Sequence, residues 1–243
     1  MKLYGLLGKT LKHSFSKTYF AHKFHALNIE DCKYENFELS SINELPQLLI
    51  ENPSVKGLNV TIPYKEEVLP FLDEQNTIVK EIGACNCIKI VGGKLIGYNT
   101  DVTGFKQSLE KYLEPHHKYA LVLGTGGAAK AVKYALKTMG IEYRAVSRAK
   151  TGDAITYNEL DETLLKQHQL IINTSPVGMF PNVDKAPPIP YHFINSNHLL
   201  FDLIYNPEKT LFLKKGEEKG AKIANGSEML ILQAEESWRI WNS

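Results

Sequence analysis

Cysteine is scarce in this chain. Three residues, Cys32, Cys85 and Cys87, occur among 243, an odd number in a chain of this length, which excludes a disulfide framework as the source of stability. Cys85 and Cys87 stand two apart with no second Cys or His pair at ligand spacing, so no metal site is expected. An excess of one charge is missing as well: 28 basic residues face 27 acidic ones, a net charge of +1. That balance gives no electrostatic reason to expect nucleic acid or an anionic membrane as partner. Anion binding must then be local, at a helix start or a placed Arg or Lys. No apolar run approaches the length of a membrane span. Residues 1–5 read directly into a strand and carry no signal-peptide core. A cytoplasmic protein with reduced thiols is expected.

What is present is a globular composition, 43% hydrophobic and 23% charged. The first hundred residues give strands at 1–8, 33–39 and 55–61 and a helix over 16–28, with Tyr19, Phe20, Phe24 and Leu27 at helical spacing. Ser41-Ile42-Asn43-Glu44 has the form of a capping box and opens a second helix. Gly92-Gly93 between 87–91 and 94–98 signals a two-residue hairpin. After Asp101 the texture changes. Helices at 102–113, 128–139, 160–167 and 210–219 alternate with apolar strands at 119–123, 142–147, 170–173 and 199–204, which implies an α/β fold with a doubly wound parallel sheet. A short strand at 221–224 and a helix over 227–241 close the chain, and the proline-rich segment 176–190 reads as a long ordered loop.

The strongest local motif is Gly124-Thr125-Gly126-Gly127-Ala128-Ala129, between an expected strand and an expected helix. The first glycine allows a tight turn, and the second lets backbone approach a pyrophosphate. Ala129 stands where a third glycine is usual and is small enough for close helix–strand packing. The helix start then holds the anion. The end of the next strand decides between cofactors. An Asp or Glu there binds the ribose hydroxyls of NAD; this chain has Ser147-Arg148-Ala149-Lys150. Arg148 can form paired hydrogen bonds to a 2′-phosphate, Lys150 adds charge and Ser147 a hydroxyl, which favours NADP. A third segment, Asn173-Thr174-Ser175-Pro176-Val177-Gly178-Met179, lies at the carboxyl end of a buried strand, where open α/β sheets bind ligands, and suits the nicotinamide end.

Hydride transfer at an alcohol carbon needs one positioned acid–base group to take or return the hydroxyl proton. Two residues at strand ends could serve: Lys65, past Pro63, and Asp101, in Asn99-Thr100-Asp101-Val102-Thr103-Gly104. Burial lowers a lysine pKa and a nearby carboxylate raises it, so spacing alone leaves the net effect open. Cys85 and Cys87 read as small packing residues, since nothing nearby in sequence lowers their pKa.

Taken together these blocks resemble the shikimate dehydrogenase family over nearly the whole chain. The matching blocks run from Gly8 through His13-Ser14-Phe15-Ser16, Asn59-Val60-Thr61 with Pro63 and Lys65, Gly83-Ala84-Cys85-Asn86, and Asn99-Thr100-Asp101 with Gly104. They continue through the glycine motif, Asn173-Thr174-Ser175-Pro176 with Gly178-Met179, Asp202-Leu203-Ile204-Tyr205-Asn206-Pro207 with Thr210, and Gly226 with Met229-Leu230 and Gln233. The resemblance implies reversible NADPH-dependent reduction of 3-dehydroshikimate to shikimate, on the way to chorismate and the aromatic amino acids. It implies Lys65 as the acid–base group, paired with an Asp101 that also touches a substrate hydroxyl. Ser14 and Ser16 would bind the substrate carboxylate, Thr61, Asn86 and Gln233 the ring hydroxyls, and Tyr205 would lie near the carboxylate. Gly124, Thr125, Gly126, Gly127, Ala128, Ser147, Arg148, Lys150, Thr174, Ser175, Met179 and Gly226 would face the cofactor, and His13 would shape its loop by a hydrogen bond.

The chain departs from the family pattern in three places: Ser147 and Ala149 flank the arginine where Asn and Thr are usual, Cys87 replaces Thr, and Lys17 replaces Pro. The family plan implies a substrate domain over 1–104, rejoined by 220–243, and a Rossmann-type NADP domain over 105–219, working as monomer or homodimer. Three rivals remain: a quinate/shikimate enzyme that prefers NAD, which Arg148 opposes; a folate-type methylene dehydrogenase, which the Ser14 and Gln233 blocks oppose; and a regulatory protein without turnover, which intact Lys65 and Asp101 oppose.

Overall fold

The computed structural model describes residues 1–11 and 14–243; the hydrogen bond expected of His13 lies outside the described residues. The chain divides into two compact units, Met1–Thr100 with Ala234–Ser243, and Asp101–Gln233.

The first unit holds β1 (Lys2–Gly8), α1 (Phe15–Ala26), β2 (Cys32–Glu38), α2 (Leu45–Glu51), β3 (Val55–Val60), α3 (Tyr64–Glu67), β4 (Glu74–Gln75), α4 (Thr77–Ile82), β5 (Cys87–Val91) and β6 (Lys94–Tyr98). Its six-stranded sheet runs β2-β1-β3-β5-β6-β4. The first three are parallel, β5 turns antiparallel to β3, and the hairpin β5–β6 occupies the residues expected. Ser41 does form a capping box, on a 3₁₀ turn that leads into α2. Strand side chains alternate between two cores, as period 2 requires: Leu7, Leu58 and Ile88 join Leu45, Tyr64 and Val79 on one face, while Tyr4 and Cys87 join Phe20, Phe24 and Trp241 on the other. The second face is aromatic, with Tyr4 stacked on Trp241 at 4.9 Å and Phe20 on Tyr34 at 4.5 Å between ring centroids.

The second unit holds most of α5 (Thr100–Glu110), then β7 (Tyr119–Leu123), α6 (Gly127–Thr138), β8 (Glu142–Ser147), β9 (Ile155–Thr156), α7 (Glu162–Gln167), β10 (Leu170–Asn173), β11 (Leu199–Asp202), α8 (Leu211–Glu217), β12 (Lys222–Ala224) and the start of α9 (Ser227–Trp241). The sheet order β12-β11-β10-β7-β8-β9, all parallel, is that of a doubly wound dinucleotide-binding fold. Its direction reverses between β7 and β10, so the glycine loop after β7 and the loop after β10 emerge at the switch point, where such sheets bind ligands.

The sequence placed the return to the first unit at residue 220; it falls at Ala234. β12 pairs with β11 as an edge of the second sheet, and the Gly226 backbone lies so close to Leu203 that a Cβ would stand 2.0 Å from its carbonyl oxygen. Only the aromatic end of α9 belongs to the first core.

Candidate active site and cofactor loop

In the first unit the chain around Lys65 is fixed by its backbone. Thr61 donates its N–H to Leu7 at 2.9 Å and accepts from the Tyr64 N–H at 2.9 Å, closing the turn into α3. Gly8 makes room for this turn: a Cβ there would meet the Thr61 methyl at 2.7 Å. The Tyr64 ring is buried and its hydroxyl donates to the Leu39 carbonyl at 2.6 Å. One residue on, the Lys65 carbonyl accepts the Cys85 N–H at 2.7 Å. The lysine side chain thus leaves a short helix anchored on both sides, and segment 84–86 is tied to it.

Asn86, next to that anchor, is buried. Its Oδ1 accepts the Thr100 N–H at 2.6 Å and its Nδ2 donates to Thr100 Oγ1 at 3.1 Å. Thr100 Oγ1 lies 3.2 Å from Ser237 Oγ, which accepts from Asn59 Nδ2 at 2.8 Å. Asn59 Oδ1 accepts from the Tyr34 hydroxyl at 2.9 Å, and Tyr34 in turn is hydrogen-bonded by Ser16. Burial pushes the Tyr34 phenol far above its ordinary value, so it stays a neutral donor. The structure therefore joins two of the expected site residues, Ser16 and Asn86, through one buried polar chain. Ser14 stands apart from Ser16: half-buried, it caps α1 by accepting the Lys17 N–H at 3.2 Å. Cys85 and Cys87 are fully buried, and burial raises the Cys87 thiol, so neither is a poised nucleophile.

In the second unit Gly124 has φ +124°, and a Cβ there would meet Thr174 Oγ1 at 2.6 Å. Only glycine fits both the angle and the contact. Thr174 donates through both its N–H (3.0 Å) and its hydroxyl (2.9 Å) to the Leu123 carbonyl, so the loops after β7 and β10 are laced together. Gly126 opens α6 with no side-chain cap, nothing stands within 4 Å of where its Cβ would be, and the first turn, including Gly127 and Ala128, holds no acid. A twelve-residue helix with an open, uncapped, acid-free start offers its free N–H groups and positive dipole end to a diphosphate. Thr125 is exposed beside it. Ser147 ends β8 and donates to the Ala149 carbonyl; Arg148 and Lys150 follow, both exposed. No acid stands at this strand end to repel a 2′-phosphate. The donor set fits a phosphorylated dinucleotide.

The remaining expected residues lie on the same unit. Asp101 is buried in the first turn of α5, where the dipole favours a carboxylate. Gly104 brings α5 against α9: a Cβ would stand 3.0 Å from Gln233 N and Cβ. Gln233 is buried and donates to the Leu230 carbonyl at 2.9 Å. Met179 and Tyr205 are exposed on the loops after β10 and β11. Among the described residues no cluster of His, Cys, Asp and Glu could hold a metal ion, and no helix is long and apolar enough to cross a membrane.

Sequence reading missed Asn59, Thr100 and Ser237 as members of the buried chain, and Asn173 and Asp202 beside the cofactor loop. The available signal was a polar residue inside or ending an apolar strand, Asn59 in β3 and Asn173 in β10, because such a group must find partners when buried.

Residues 6–88 match a family model described as the shikimate dehydrogenase substrate binding domain. A shikimate dehydrogenase (NADP(+)) of Caldicellulosiruptor saccharolyticus is 39% identical over 262 residues, covering 99% of this chain and 91% of that protein. The structure of shikimate 5-dehydrogenase from Thermus thermophilus in complex with NADP(H) and shikimate superposes with a TM-score of 0.88 at 30% identity, over 99% of this chain and 93% of that one. Quinate dehydrogenase from Corynebacterium glutamicum in complex with NAD gives 0.87 at 26% identity, over 99% and 93%. Overall shape therefore does not choose between the two polyols or the two cofactors.

Proposed function

The chain belongs to the shikimate dehydrogenase family, and from that premise we propose that it is an NADP-dependent oxidoreductase interconverting 3-dehydroshikimate and shikimate. The observation that carries the cofactor half is the open, acid-free start of α6 behind Gly124, followed one strand later by Ser147-Arg148 in place of an acid. The N–H groups of residues 124–128 hold the diphosphate; Ser147, Arg148 and Lys150 hold the 2′-phosphate; Thr174, Ser175, Met179 and Gly226 border the nicotinamide. When bound, that ring supplies the hydride chemistry.

The rest falls to side chains. Ser14, Ser16 and Tyr205 bind the substrate carboxylate, and Thr61, Asn86, Asp101 and Gln233 the hydroxyls. A small acid with several hydroxyls is discriminated by such a set because each lost partner leaves a buried polar group unpaired. Lys65 takes the proton of the reacting hydroxyl during oxidation and returns it to the carbonyl oxygen during reduction. Asp101 pairs with Lys65 and holds its ammonium in place. The anchored backbone of α3 supports this role, since a general acid–base must be held within hydrogen-bond reach of one oxygen. Reduction toward shikimate is the biosynthetic direction, on the route to chorismate and aromatic amino acids. Three free thiols suit a reducing, cytoplasmic setting.

The test is the absorbance of reduced nicotinamide with shikimate or quinate, each offered with NADP and with NAD. Turnover greatest for shikimate with NADP supports the reading. Greatest turnover for quinate with NAD replaces it with the quinate reading, and tight NADP binding without turnover on either polyol removes the enzyme.

A further inference from the structure

β11 ends in a carboxylate that is wholly removed from solvent, Asp202. Burying a carboxylate is costly unless donors surround it. Three do: Asn173 Nδ2 at 3.0 Å and the Ile204 N–H at 3.1 Å reach Oδ1, and the Thr210 hydroxyl reaches Oδ2 at 2.6 Å. Even so, burial pushes the Asp202 carboxyl up to about 6.

Asn173, its neighbour in register at the end of β10, is equally buried. With its amide turned toward Asp202, its Oδ1 faces the next loop, accepting the Ser175 N–H at 3.1 Å and the Ser175 hydroxyl at 2.7 Å. The hydrogen bonds thus run from the cap of α8, through two strand ends, into residues 174–178. That is the loop whose Thr174 is laced to the carbonyl of Leu123, directly before the glycine turn.

We propose that Asp202 and Asn173 form a positioning pair that sets the 174–178 loop against the glycine loop in the geometry that receives the cofactor. This rests on the NADP reading above. Neither residue touches the cofactor; Asp202 fixes which way the Asn173 amide faces, and Asn173 fixes Ser175. An apolar pair at these positions would pack the strand ends but leave the loop's N–H and hydroxyl without an acceptor.

The experiment measures NADP dissociation constants and steady-state constants for the wild type and for Asp202→Ala, Asn173→Ala, their double variant and Asp202→Asn, with circular dichroism and thermal melts as folding controls. Asp202→Ala and Asn173→Ala are expected to weaken NADP about tenfold or more, as loss of an outer supporting partner does. For Asn173→Ala, shikimate KM at saturating NADP should stay within about twofold, since the one substrate residue near the pair, Tyr205, follows the Ile204 held by Asp202 and not by Asn173. The double variant should be no worse than the worse single, because the two act through each other. Asp202→Asn should recover NADP affinity to within about threefold of wild type: its oxygen can face Asn173 and Ile204 while its amide donates to Thr210. If Asp202→Ala does not fold, Asn173→Ala decides alone. Folded alanine variants that bind NADP like wild type overturn the pair while the enzyme reading stands. A wild type that binds no NADP removes both.

Discussion

Asn59 Nδ2 donates to Ser237 Oγ at 2.8 Å, joining residues 178 apart in sequence. The bond ties β3 to the end of α9 in the middle of the buried chain from Ser16 to Asn86. Asn59→Leu keeps the branched side-chain shape but removes the acceptor of Tyr34 and one donor to Ser237, which retains Thr100. It should destabilise the protein by about 1–3 kcal/mol, read as a lower urea midpoint at unchanged slope. Ser237→Ala should cost less, because Asn59 Nδ2 keeps a second, longer contact of 3.4 Å to the Asn86 carbonyl. Equal midpoints for Asn59→Leu and wild type would mean that this polar chain does not stabilise the fold.

A row of histidines governs the acid side. His117, His168 and His198 are buried in the second unit, just before β7, β10 and β11, which are neighbours in its sheet. Burial lowers the pKa of each below the ordinary 6.5. The His117 Nδ1 accepts the Glu114 N–H at 2.9 Å, a bond that protonation removes. Unfolded, these rings take up protons near pH 6.5 while the folded ones stay neutral. Their contribution to stability is therefore complete above 6.5 and is lost as pH falls through the lowered folded values. Asp202 acts the other way. With its carboxyl raised from 3.8 to about 6, its contribution is greatest at acid pH and fades as pH rises through 6. Urea midpoints should be flat from pH 8 to about 7 and fall between about 7 and 6, where three histidines outweigh the one carboxylate. His117→Asn, whose Oδ1 can take the same N–H, should make that fall shallower; an unchanged slope would contradict the assignment.

Arg148 selects the cofactor in this account. Arg148→Gln removes paired, charge-assisted hydrogen bonding to a 2′-phosphate, a loss of about 1.5–3 kcal/mol in total. NADP affinity should fall about tenfold to a hundredfold, with NAD affinity unchanged. Titration of both cofactors checks it; equal losses for the two would show that Arg148 acts on the loop and not on the phosphate.

The parts legible in the sequence are those with a local signal. The hairpin could be placed to the residue because Gly92-Gly93 readily takes the positive φ that a two-residue turn needs at both positions, and both glycines have positive φ. α9 was bounded correctly by Ser227 and its repeating apolar face. α4 was missed, being six residues long, although Asn76 caps it through the Val79 N–H and Gly83 closes it in the left-handed region. The two-residue strands β4 and β9 carry no period at all. For the site, the glycine loop was legible because strand, turn and helix are contiguous. The Ser16–Tyr34–Asn59–Ser237–Thr100–Asn86 chain was not, since it draws on six separate segments and exists only once the sheet has formed. Asp202 read as one residue of a family block, and nothing in its neighbours announced a fully desolvated carboxylate.

The central claim is that Lys65 moves the proton. The direct measurement is the rate of shikimate oxidation at saturating NADP for wild type and Lys65→Met, with NADP dissociation constants alongside. The account predicts a loss of about 10²- to 10⁴-fold in kcat, the usual yield of a positioned acid–base group, with NADP affinity unchanged because the cofactor residues lie on the other unit. A Lys65→Met variant that keeps its rate within a few-fold of wild type would contradict it.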